Sequence, residues 1–312
     1  MKQLIVWIVI ACLLLSGCGA PQKTQAVESQ SGITFTDDLG RTVAVDRPQR
    51  VAALLGSYGQ AWCLAGGTLC AAADDVWEEY DLGLPADAVN LGNTKSLSLE
   101  LLLTAQPDFV IASTKTNQHL QWQPTLEAAG IPVAYFDVAN FDDYLRVLKI
   151  FTDITGNSQL YEENGILVQQ QIEAVIEKSK QRQTNPSVLV LRVSASSICA
   201  RGSEGNILGQ ILADLGCVNI ADVDDSLLEN LSIEHILQAD PDYVFIAQYG
   251  DNVQGIQEHM QQFQADNPAW SQLTAVKTGK VYAMEKALYS LKPNHRWGEA
   301  YQRIEEILYN EA

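Results

Sequence analysis

An internal repeat constrains this chain more than any other feature of its sequence. Residues 98–110 (SLELLLTAQPDFV) and 232–244 (SIEHILQADPDYV) are identical at seven of thirteen positions. Each copy predicts a short helix that begins at a serine, carries a glutamate in its first turn and ends before Pro-Asp and an apolar strand. A single repetition at this distance is not a solenoid array. The repeat therefore predicts two similar halves, which present Glu100 and Glu234 at equivalent places.

Length, composition and charge limit the class of protein. The chain has 312 residues, of which 47% are hydrophobic and 19% charged, so it is globular and long enough for two α/β lobes. Its net charge of −18 at pH 7 argues against nucleic-acid binding, which requires a basic surface.

The N-terminus has the pattern of a bacterial lipoprotein signal. Lys2 precedes an apolar run at residues 4–15, which is shorter than the roughly 20 residues of a membrane-spanning helix and matches a signal peptide. The run leads into LSGC at residues 15–18, which resembles a lipobox. We therefore expect a signal peptide over residues 1–17 and a lipid on Cys18, followed by a flexible tether to residue 32. The alternative is an ordinary secretory signal that contains a cysteine.

Four cysteines remain in the mature chain beyond the lipobox: Cys63, Cys70, Cys199 and Cys217. None forms a CxxC pair, which argues against a zinc ribbon or a thioredoxin-like site. Two states stay open from the sequence, a Cys63–Cys70 or Cys199–Cys217 disulfide and buried free thiols.

Strand and helix patterns alternate along both halves of the chain. Residues 33–157 begin with a predicted β-hairpin at 33–45 and continue as βα units. Residues 158–184 predict one long helix that joins two lobes, or alternatively a surface helix of the second half. The βα pattern then restarts and continues over residues 185–312. We predict an α/β fold in which two mostly parallel, Rossmann-like sheets are bridged by this helix, with a ligand cleft between the lobes.

With these elements, the chain resembles the substrate-binding lipoproteins of bacterial ABC importers for ferric siderophores, haem and cobalamin. The resemblance covers nearly the whole mature chain. It rests on the lipobox at Cys18, the Asp-Asp-Leu-Gly-Arg turn at residues 37–41, the two Glu…Pro-Asp segments and the long helix. It implies a receptor anchored by lipid on the extracytoplasmic side of the membrane. Its ligand would be a chelated metal, with a ferric siderophore as first choice and haem or cobalamin as alternatives.

The resemblance also implies a partner. Glu100 and Glu234 match the glutamates that, in this family, meet arginines on two permease subunits. We therefore expect a monomeric receptor that docks on a two-subunit ABC permease with a cytoplasmic ATPase. Exposed ion pairs are individually weak, but two of them at a fixed separation set the orientation of docking. The alternative is that both glutamates only stabilise the N-terminal ends of their helices.

The loops that follow strands are expected to line the ligand cleft, because α/β sheets bind ligands beyond the carboxyl ends of their strands. Here these loops are rich in aromatic and cationic side chains, which suits an iron-chelate anion. The predicted ligand-binding residues are Ser57, Tyr58, Trp77, Lys115, Arg192, Arg201, Tyr249, Tyr289, His295, Arg296 and Trp297, with Tyr80 and Lys292 as further candidates.

Motifs for catalysis or for a protein-bound metal are not found in the sequence. The four histidines form no HExxH or H-x-H cluster, although His295, Tyr58 or Tyr289 remains open as an axial ligand to haem iron. The sequence contains no dinucleotide-binding glycine loop, Walker loop or nucleophile elbow. We predict no enzymatic activity and no resident cofactor. A surface adhesion lipoprotein and a lipid-anchored chelatase that reuse the fold are the alternatives.

Overall fold

The computed structural model describes residues 32–80 and 82–309. The predicted signal peptide, Cys18 and the tether up to residue 31 lie outside these residues. Within the described ranges, no helix is both long and apolar enough to cross a membrane.

The strands and helices alternate through most of the chain. The strands are β1 Ile33–Thr36, β2 Thr42–Val45, β3 Val51–Ala53, β4 Leu69–Ala72, β5 Val89–Asn90, β6 Phe109–Ser113, β7 Val133–Phe136, β8 Ser187–Val193, β9 Ile198–Arg201, β10 Val218–Asn219, β11 Tyr243–Gln248 and β12 Val281–Met284. The helices are α1 Gly56–Leu64, α2 Asp75–Glu79, α3 Leu99–Thr104, α4 Asn117–Ala128, α5 Phe141–Thr155, α6 Ser158–Tyr161, α7 Leu167–Lys180, α8 Ile207–Asp214, α9 Ile220–Val223, α10 Ser226–Glu229, α11 Ile233–Ala239, α12 Val253–Asp266, α13 Thr274–Lys277, α14 Lys286–Tyr289 and α15 Trp297–Tyr309.

The N-terminal lobe is built on a parallel sheet with the strand order β5-β4-β3-β6-β7. Every residue of β6 and β7 is buried, as expected for parallel strands that helices cover on both faces. The predicted hairpin is confirmed by the antiparallel pairing of β1 with β2.

Charged residues of the hairpin turn attach the hairpin to β7. The Arg41 guanidinium donates to the Asp37 carboxylate at 2.6 Å and to the Val133 carbonyl at 2.8 Å. The Asp38 carboxylate accepts a hydrogen bond from the backbone nitrogen of Asp137 at 2.7 Å. The turn sequence therefore holds the carboxyl end of β7, from which Asp137 extends.

The C-terminal lobe has a sheet with the order β10-β8-β11-β12, in which neighbouring strands are parallel. The prediction of two mostly parallel sheets is thus confirmed. The exception is β9, which pairs with β8 in antiparallel register, so that Arg192 lies opposite Cys199 and Arg201 lies opposite Val190.

The segment predicted as one long helix is helical over residues 158–180, but its turns are not uniform. A π-helical turn, Glu162–Ile166, separates α6 from α7. Gly165 lies in this turn, where a Cβ would come 2.7 Å from Leu145 of α5. Because glycine has no side chain, the connecting helix can approach α5 closely.

The far end of the connecting helix is attached to the C-terminal lobe by ion pairs. Lys178 of α7 and Arg182 just after it pair with the buried carboxylate of Glu305 on α15, at 2.8 and 2.6 Å. Two cations and their hydrogen bonds compensate for the lost hydration of this buried carboxylate.

The loop and helix before α15 join the lobes a second time. Asn294 is buried, and its amide donates to the Ser57 carbonyl at 2.8 Å and to the Gln60 side chain at 2.7 Å, both in α1. Lys286 pairs with Glu79 of α2 and, at 2.5 Å, with Asp251. The lobes are therefore held together by side chains as well as by the connecting helix.

The repeated segments form equivalent helices in the two lobes. Ser98 caps α3 by accepting a hydrogen bond from the Leu101 backbone, and Ser232 caps α11 by accepting one from the His235 backbone. Such serine caps satisfy a backbone N–H that has no partner inside the helix.

The Pro-Asp pairs of the two repeats also have equivalent contacts. The Asp108 carboxylate accepts hydrogen bonds from the Gln49 and Arg50 backbone nitrogens, at 2.8 and 2.9 Å, just before β3. The Asp242 carboxylate accepts one from the Ser187 backbone nitrogen at 2.8 Å, at the start of β8. Each aspartate thus fixes the beginning of the neighbouring strand of its own sheet.

The cysteines described in the structure are all free thiols. Burial raises the pKa of the Cys63 thiol to about 11 and that of the Cys217 thiol to about 12. Both are therefore protonated and unreactive at neutral pH.

Candidate functional site

A cavity of about 400 Å³ lies between the two lobes. The N-terminal lobe contributes the loops after β6 and β7, and the C-terminal lobe contributes β8, β9 and the residues that end and follow β11. This is the place that the strand-end rule predicts. The polar lining residues are Lys115, Asp137, Arg192, Arg201, Asn206, Tyr249, Tyr289, Ser290 and Lys292, and the apolar ones include Val138, Val190, Ile207 and Ala247.

The lining of this cavity is rich in basic groups, although the protein as a whole is acidic. It has four basic side chains, Lys115, Arg192, Arg201 and Lys292, against the single carboxylate of Asp137. Asp137 is already paired with Lys115 at 2.9 Å. The N-terminal end of α8, which carries a partial positive charge, lies in the same wall. The cavity therefore suits an anion.

Arg192 and Arg201 are diagonal neighbours on one face of the β8–β9 pair, with Cα atoms about 7–8 Å apart. In the part of the chain that the structure describes, neither guanidinium has an ion-pair or hydrogen-bond partner. The guanidinium of Arg192 lies 3.9 Å from the centre of the Tyr249 ring, a cation–π contact that holds it at this side of the cavity. Two guanidinium groups with unused donors are arranged to bind carboxylate or phosphate oxygens.

Two further donors come from the segment between α14 and α15. Lys292 is half-buried, and its amine lies 5.2 Å from the centre of the Tyr58 ring. The Ser290 hydroxyl is buried and has no hydrogen-bond partner among residues 32–80 and 82–309. The Lys292 amine can donate to a ligand oxygen in the cavity.

Five of the eleven predicted ligand-binding residues line this cavity, together with the further candidate Lys292. The five are Lys115, Arg192, Arg201, Tyr249 and Tyr289. The six predicted residues that the structure places outside this lining are Ser57, Tyr58, Trp77, His295, Arg296 and Trp297.

The N-terminal members of the second group lie on α1 and α2, outside the cavity lining. Ser57 and Tyr58 are buried, and the Tyr58 hydroxyl donates to the Phe136 carbonyl at 2.8 Å. The Tyr58 ring lies beneath the Lys292 amine. Trp77 is 43% exposed on α2, whereas the Tyr80 hydroxyl is buried beyond that helix.

The C-terminal members of the second group lie in the core or near the surface, outside the cavity lining. Trp297 is fully buried, with its ring centre 6.3 Å from that of Phe141, because the first turn of α15 faces α5. Arg296 pairs with Glu285 at 3.1 Å and with Glu299 at 2.7 Å. His295 is exposed.

None of the three residues considered as axial ligands to haem iron presents a free donor atom to this cavity. The Tyr289 hydroxyl donates to the Ala300 carbonyl at 3.0 Å, and burial raises the pKa of Tyr289. The Tyr58 hydroxyl is likewise occupied by a carbonyl, and His295 lies outside the lining. In the described ranges, no group of three or more His, Cys, Asp or Glu side chains is placed to hold a metal ion.

Sequence reasoning missed Asp137, Asn206 and Ser290 in the cavity lining. Asp137 directly follows β7, so the strand-end rule contained the signal for it. Asn206 is the N-cap of α8 and accepts a hydrogen bond from the Gly209 backbone. Its sequence context indicates this capping role but not its place in the cavity. The context of Ser290 carries no comparable signal.

Glu100 and Glu234 lie outside the cavity, at equivalent places on the two lobes. Each is exposed in the first turn of its helix, α3 or α11. Within the described residues, neither carboxylate has an ion-pair or hydrogen-bond partner, so both are available to a binding partner. Beside them, Leu101 is 42% exposed and His235 pairs with Asp224 at 2.8 Å.

Comparisons with known proteins agree with this architecture. The family described as periplasmic binding protein matches residues 51–288. A Fe(3+)-citrate-binding protein of Bacillus subtilis is 25% identical over 292 residues, covering 89% of this chain and 87% of the relative. A putative ABC transporter substrate-binding lipoprotein of the same organism is 22% identical over 304 residues, covering 93% of each. The structure of Staphylococcus aureus IsdE complexed with heme has a TM-score of 0.69 at 17% identity, covering 83% of this chain and 98% of that chain, and so shares the fold.

Proposed function

Because this chain belongs to the periplasmic binding protein family, we propose that it is the receptor of an ABC importer for an anionic ferric chelate of the ferric citrate type. The chelate binds in the cavity between the lobes and is delivered to the permease without covalent chemistry. Members of this family are substrate-binding transport proteins. The observation that carries the choice of ligand is the Arg192–Arg201 pair, which faces the cavity without a carboxylate partner in the described chain.

The energetics of this pair favour an anionic ligand over a neutral one. A ligand that fills the cavity removes water from both guanidinium groups. A neutral ligand leaves them desolvated and unpaired, whereas carboxylate oxygens form charge-assisted hydrogen bonds worth about 1.5–3 kcal/mol each. The named ligand of the Bacillus subtilis relative, Fe(3+)-citrate, has this chemistry.

The size and openness of the cavity support a receptor rather than an adhesion protein. A volume of about 400 Å³ lies in the range of small-molecule sites, about 300–1,000 Å³. An adhesion protein that reuses the fold has no need of an open cleft and is expected to fill it with loops.

The remaining parts of the proposal concern anchoring and docking. We expect Cys18 to carry the lipid that holds the receptor on the extracytoplasmic side of the membrane, with residues up to 32 as a tether. We expect Glu100 and Glu234 to meet basic residues on two permease subunits. Their exposure and matched positions on α3 and α11 support this role.

The lobes are expected to move little when the ligand binds. The connecting helix is attached to both lobes, and Asn294 and Lys286 add contacts between them. This arrangement differs from hinged binding proteins, which close widely around their ligands. Small-angle scattering with and without ferric citrate should show nearly equal radii of gyration.

The test is a binding comparison on the purified full chain. Tryptophan fluorescence or calorimetry is used to titrate ferric citrate, a neutral ferric hydroxamate, haem and cobalamin. We expect ferric citrate to bind at least tenfold more tightly than each of the others. Tighter binding of haem, with a shifted Soret band, or of the neutral ligands would overturn the proposed ligand class, and a failure to bind any of the four would overturn the receptor function.

A further inference from the structure

The two lysines of the cavity differ in their electrostatic surroundings. The Lys115 side chain is 74% exposed, and its amine lies 2.9 Å from the Asp137 carboxylate. Lys292 is half-buried, and its amine lies over the buried ring of Tyr58. No carboxylate in the described chain is within ion-pair distance of Lys292. The ligand-free receptor therefore provides a counterion for one lysine and not for the other.

The groups around Lys292 come from several elements. They are Tyr58 on α1, Asp75 on α2, Asp137 after β7, Tyr289 on α14 and the basic residues Lys115, Arg192 and Arg201 of the same cavity. Asp137 is engaged by Lys115, and Asp75 accepts a hydrogen bond from the Gly56 backbone at 2.8 Å. An ammonium group here loses hydration, gains no ion pair and shares the cavity with two guanidinium groups, and its contact with the Tyr58 ring at 5.2 Å is the one nearby interaction in the described chain that favours its charge. Burial lowers the pKa of Lys292, and the distant attraction of Asp137 and Asp75 does not cancel this effect.

We propose that Lys292 couples ligand binding to the uptake of one proton. Above the pKa of Lys292 in the empty receptor the amine is neutral, and it takes a proton from solvent when an anionic chelate enters the cavity. The resulting ammonium donates hydrogen bonds to ligand oxygens and supplies a cation that the empty cavity does not hold. This inference rests on the proposed function, because the negative charge of the ligand is what favours protonation.

The coupling has a definite sign. Between the pKa of Lys292 in the empty receptor and its higher pKa in the occupied receptor, binding consumes a proton. In that range the affinity falls as the pH rises, by up to about tenfold per pH unit. Below the lower pKa the lysine is charged in both states, so the affinity no longer depends on its titration.

The first experiment follows the lysine directly in the full chain. The amine nitrogens are labelled with nitrogen-15, and the Lys292 and Lys115 resonances are assigned by their loss in K292M and K115M. We expect Lys292 to titrate at lower pH than Lys115 in the empty receptor. Addition of gallium(III) citrate, a diamagnetic substitute for the ferric complex, should raise that midpoint by at least one pH unit. If Lys292 titrated at the same pH as Lys115, or if gallium citrate left the Lys292 midpoint unchanged, the inference would be overturned.

The second experiment counts protons by calorimetry of ferric citrate binding in phosphate and Tris buffers of equal pH. At a pH one unit above the Lys292 midpoint of the empty receptor, the wild type should take up at least about 0.4 proton, because a rise of one pH unit in that midpoint leaves Lys292 half protonated in the complex. K292R keeps a permanent charge and should bind ferric citrate without this uptake. An uptake by K292R equal to that of the wild type would contradict the proposal.

Two other outcomes can be told apart from proton uptake by Lys292: uptake of the proton by another residue, and a failure of the protein to bind ferric citrate. Burial raises the pKa of Asp75 to about 6, so Asp75 is a second group able to take up a proton. D75N should leave the calorimetric uptake unchanged, and abolition of the uptake in that variant would assign it to Asp75 instead. If the wild type does not bind ferric citrate, the proposed function fails, and the nitrogen-15 titration with free citrate as the anion still decides the role of Lys292.

Discussion

The two lobes share a plan but contribute different chemistry to the cavity between them. In the N-terminal lobe, the basic group from the loop after β6, Lys115, is neutralised by Asp137 of the same lobe. In the C-terminal lobe, the antiparallel strand β9 places Arg201 beside Arg192 without a carboxylate partner in the described chain. The parts that match between the lobes, α3 and α11 with their glutamates, lie outside the cavity. The two lobes are therefore similar at the surface expected to meet a two-subunit partner and different at the ligand site.

Removal of the arginine pair should have the largest effect on ligand binding and tests the difference between the two lobes most directly. We expect R192A and R201A each to weaken ferric citrate binding about 30-fold, because each loses charge-assisted hydrogen bonds worth about 2 kcal/mol. The double variant should bind ferric citrate about a thousandfold more weakly than the wild type if the two contacts act independently. K115M is the matched change in the N-terminal lobe and should cost less than about fivefold, because Lys115 is exposed and already paired. A greater loss in K115M than in the arginine variants, measured by calorimetry, would reverse the assignment of roles to the lobes.

Charge reversal of the matched glutamates tests the symmetric surface. We expect E100K and E234K each to reduce uptake of radiolabelled ferric citrate by cells at least about tenfold, because a like charge now faces the permease. Both residues lie outside the cavity, so the affinity of the purified variants for ferric citrate should be unchanged. Glu173, exposed on α7, provides the control variant E173K, which should transport normally. A loss of uptake in only one of the two variants would show that the permease does not use the two glutamates equivalently.

The contact between the lobes through Asn294 should show a smaller effect, on stability. N294A leaves the Ser57 carbonyl and Gln60 without their buried donor and should lower the free energy of unfolding by about 2 kcal/mol. The backbone φ of Asn294 is +53°, a conformation that glycine adopts without strain. N294G should therefore be less destabilised than N294A in urea unfolding. Equal losses in the two variants would show that backbone strain makes no contribution.

The Pro-Asp contacts should show the smallest effect and the closest equality between lobes. D108A and D242A each remove an acceptor for backbone nitrogens at the start of a strand. We expect each to lower the free energy of unfolding by about 1 kcal/mol, since these contacts are partly exposed to water. Urea unfolding of both variants provides the comparison. A difference of more than about 2 kcal/mol would mean that the repeated segments are not energetically equivalent.

Features with a local signal could be predicted from the sequence. The hairpin, the serine caps of α3 and α11 and the helical segment after α5 depend on neighbouring residues, and the structure contains all of them. The site was predicted in part. The rule of strand ends identifies which loops face the cleft, but it does not say which way each side chain turns. Trp297 satisfies the rule by position and is nevertheless buried, because α15 needs an apolar first turn against α5.

The α/β class, the two-lobed plan and the matched glutamates can be read from the chain alone, because they follow from patterns that repeat along it. Which basic groups of the cavity have partners depends on the folded structure. Lys115 is neutralised by Asp137 from the next strand of its sheet, Arg192 lies diagonally across an antiparallel strand pair from Arg201, and Lys292 lies over Tyr58 of the other lobe. Charge interactions act through space over a few ångströms, so their outcome depends on which distant segments the fold brings together.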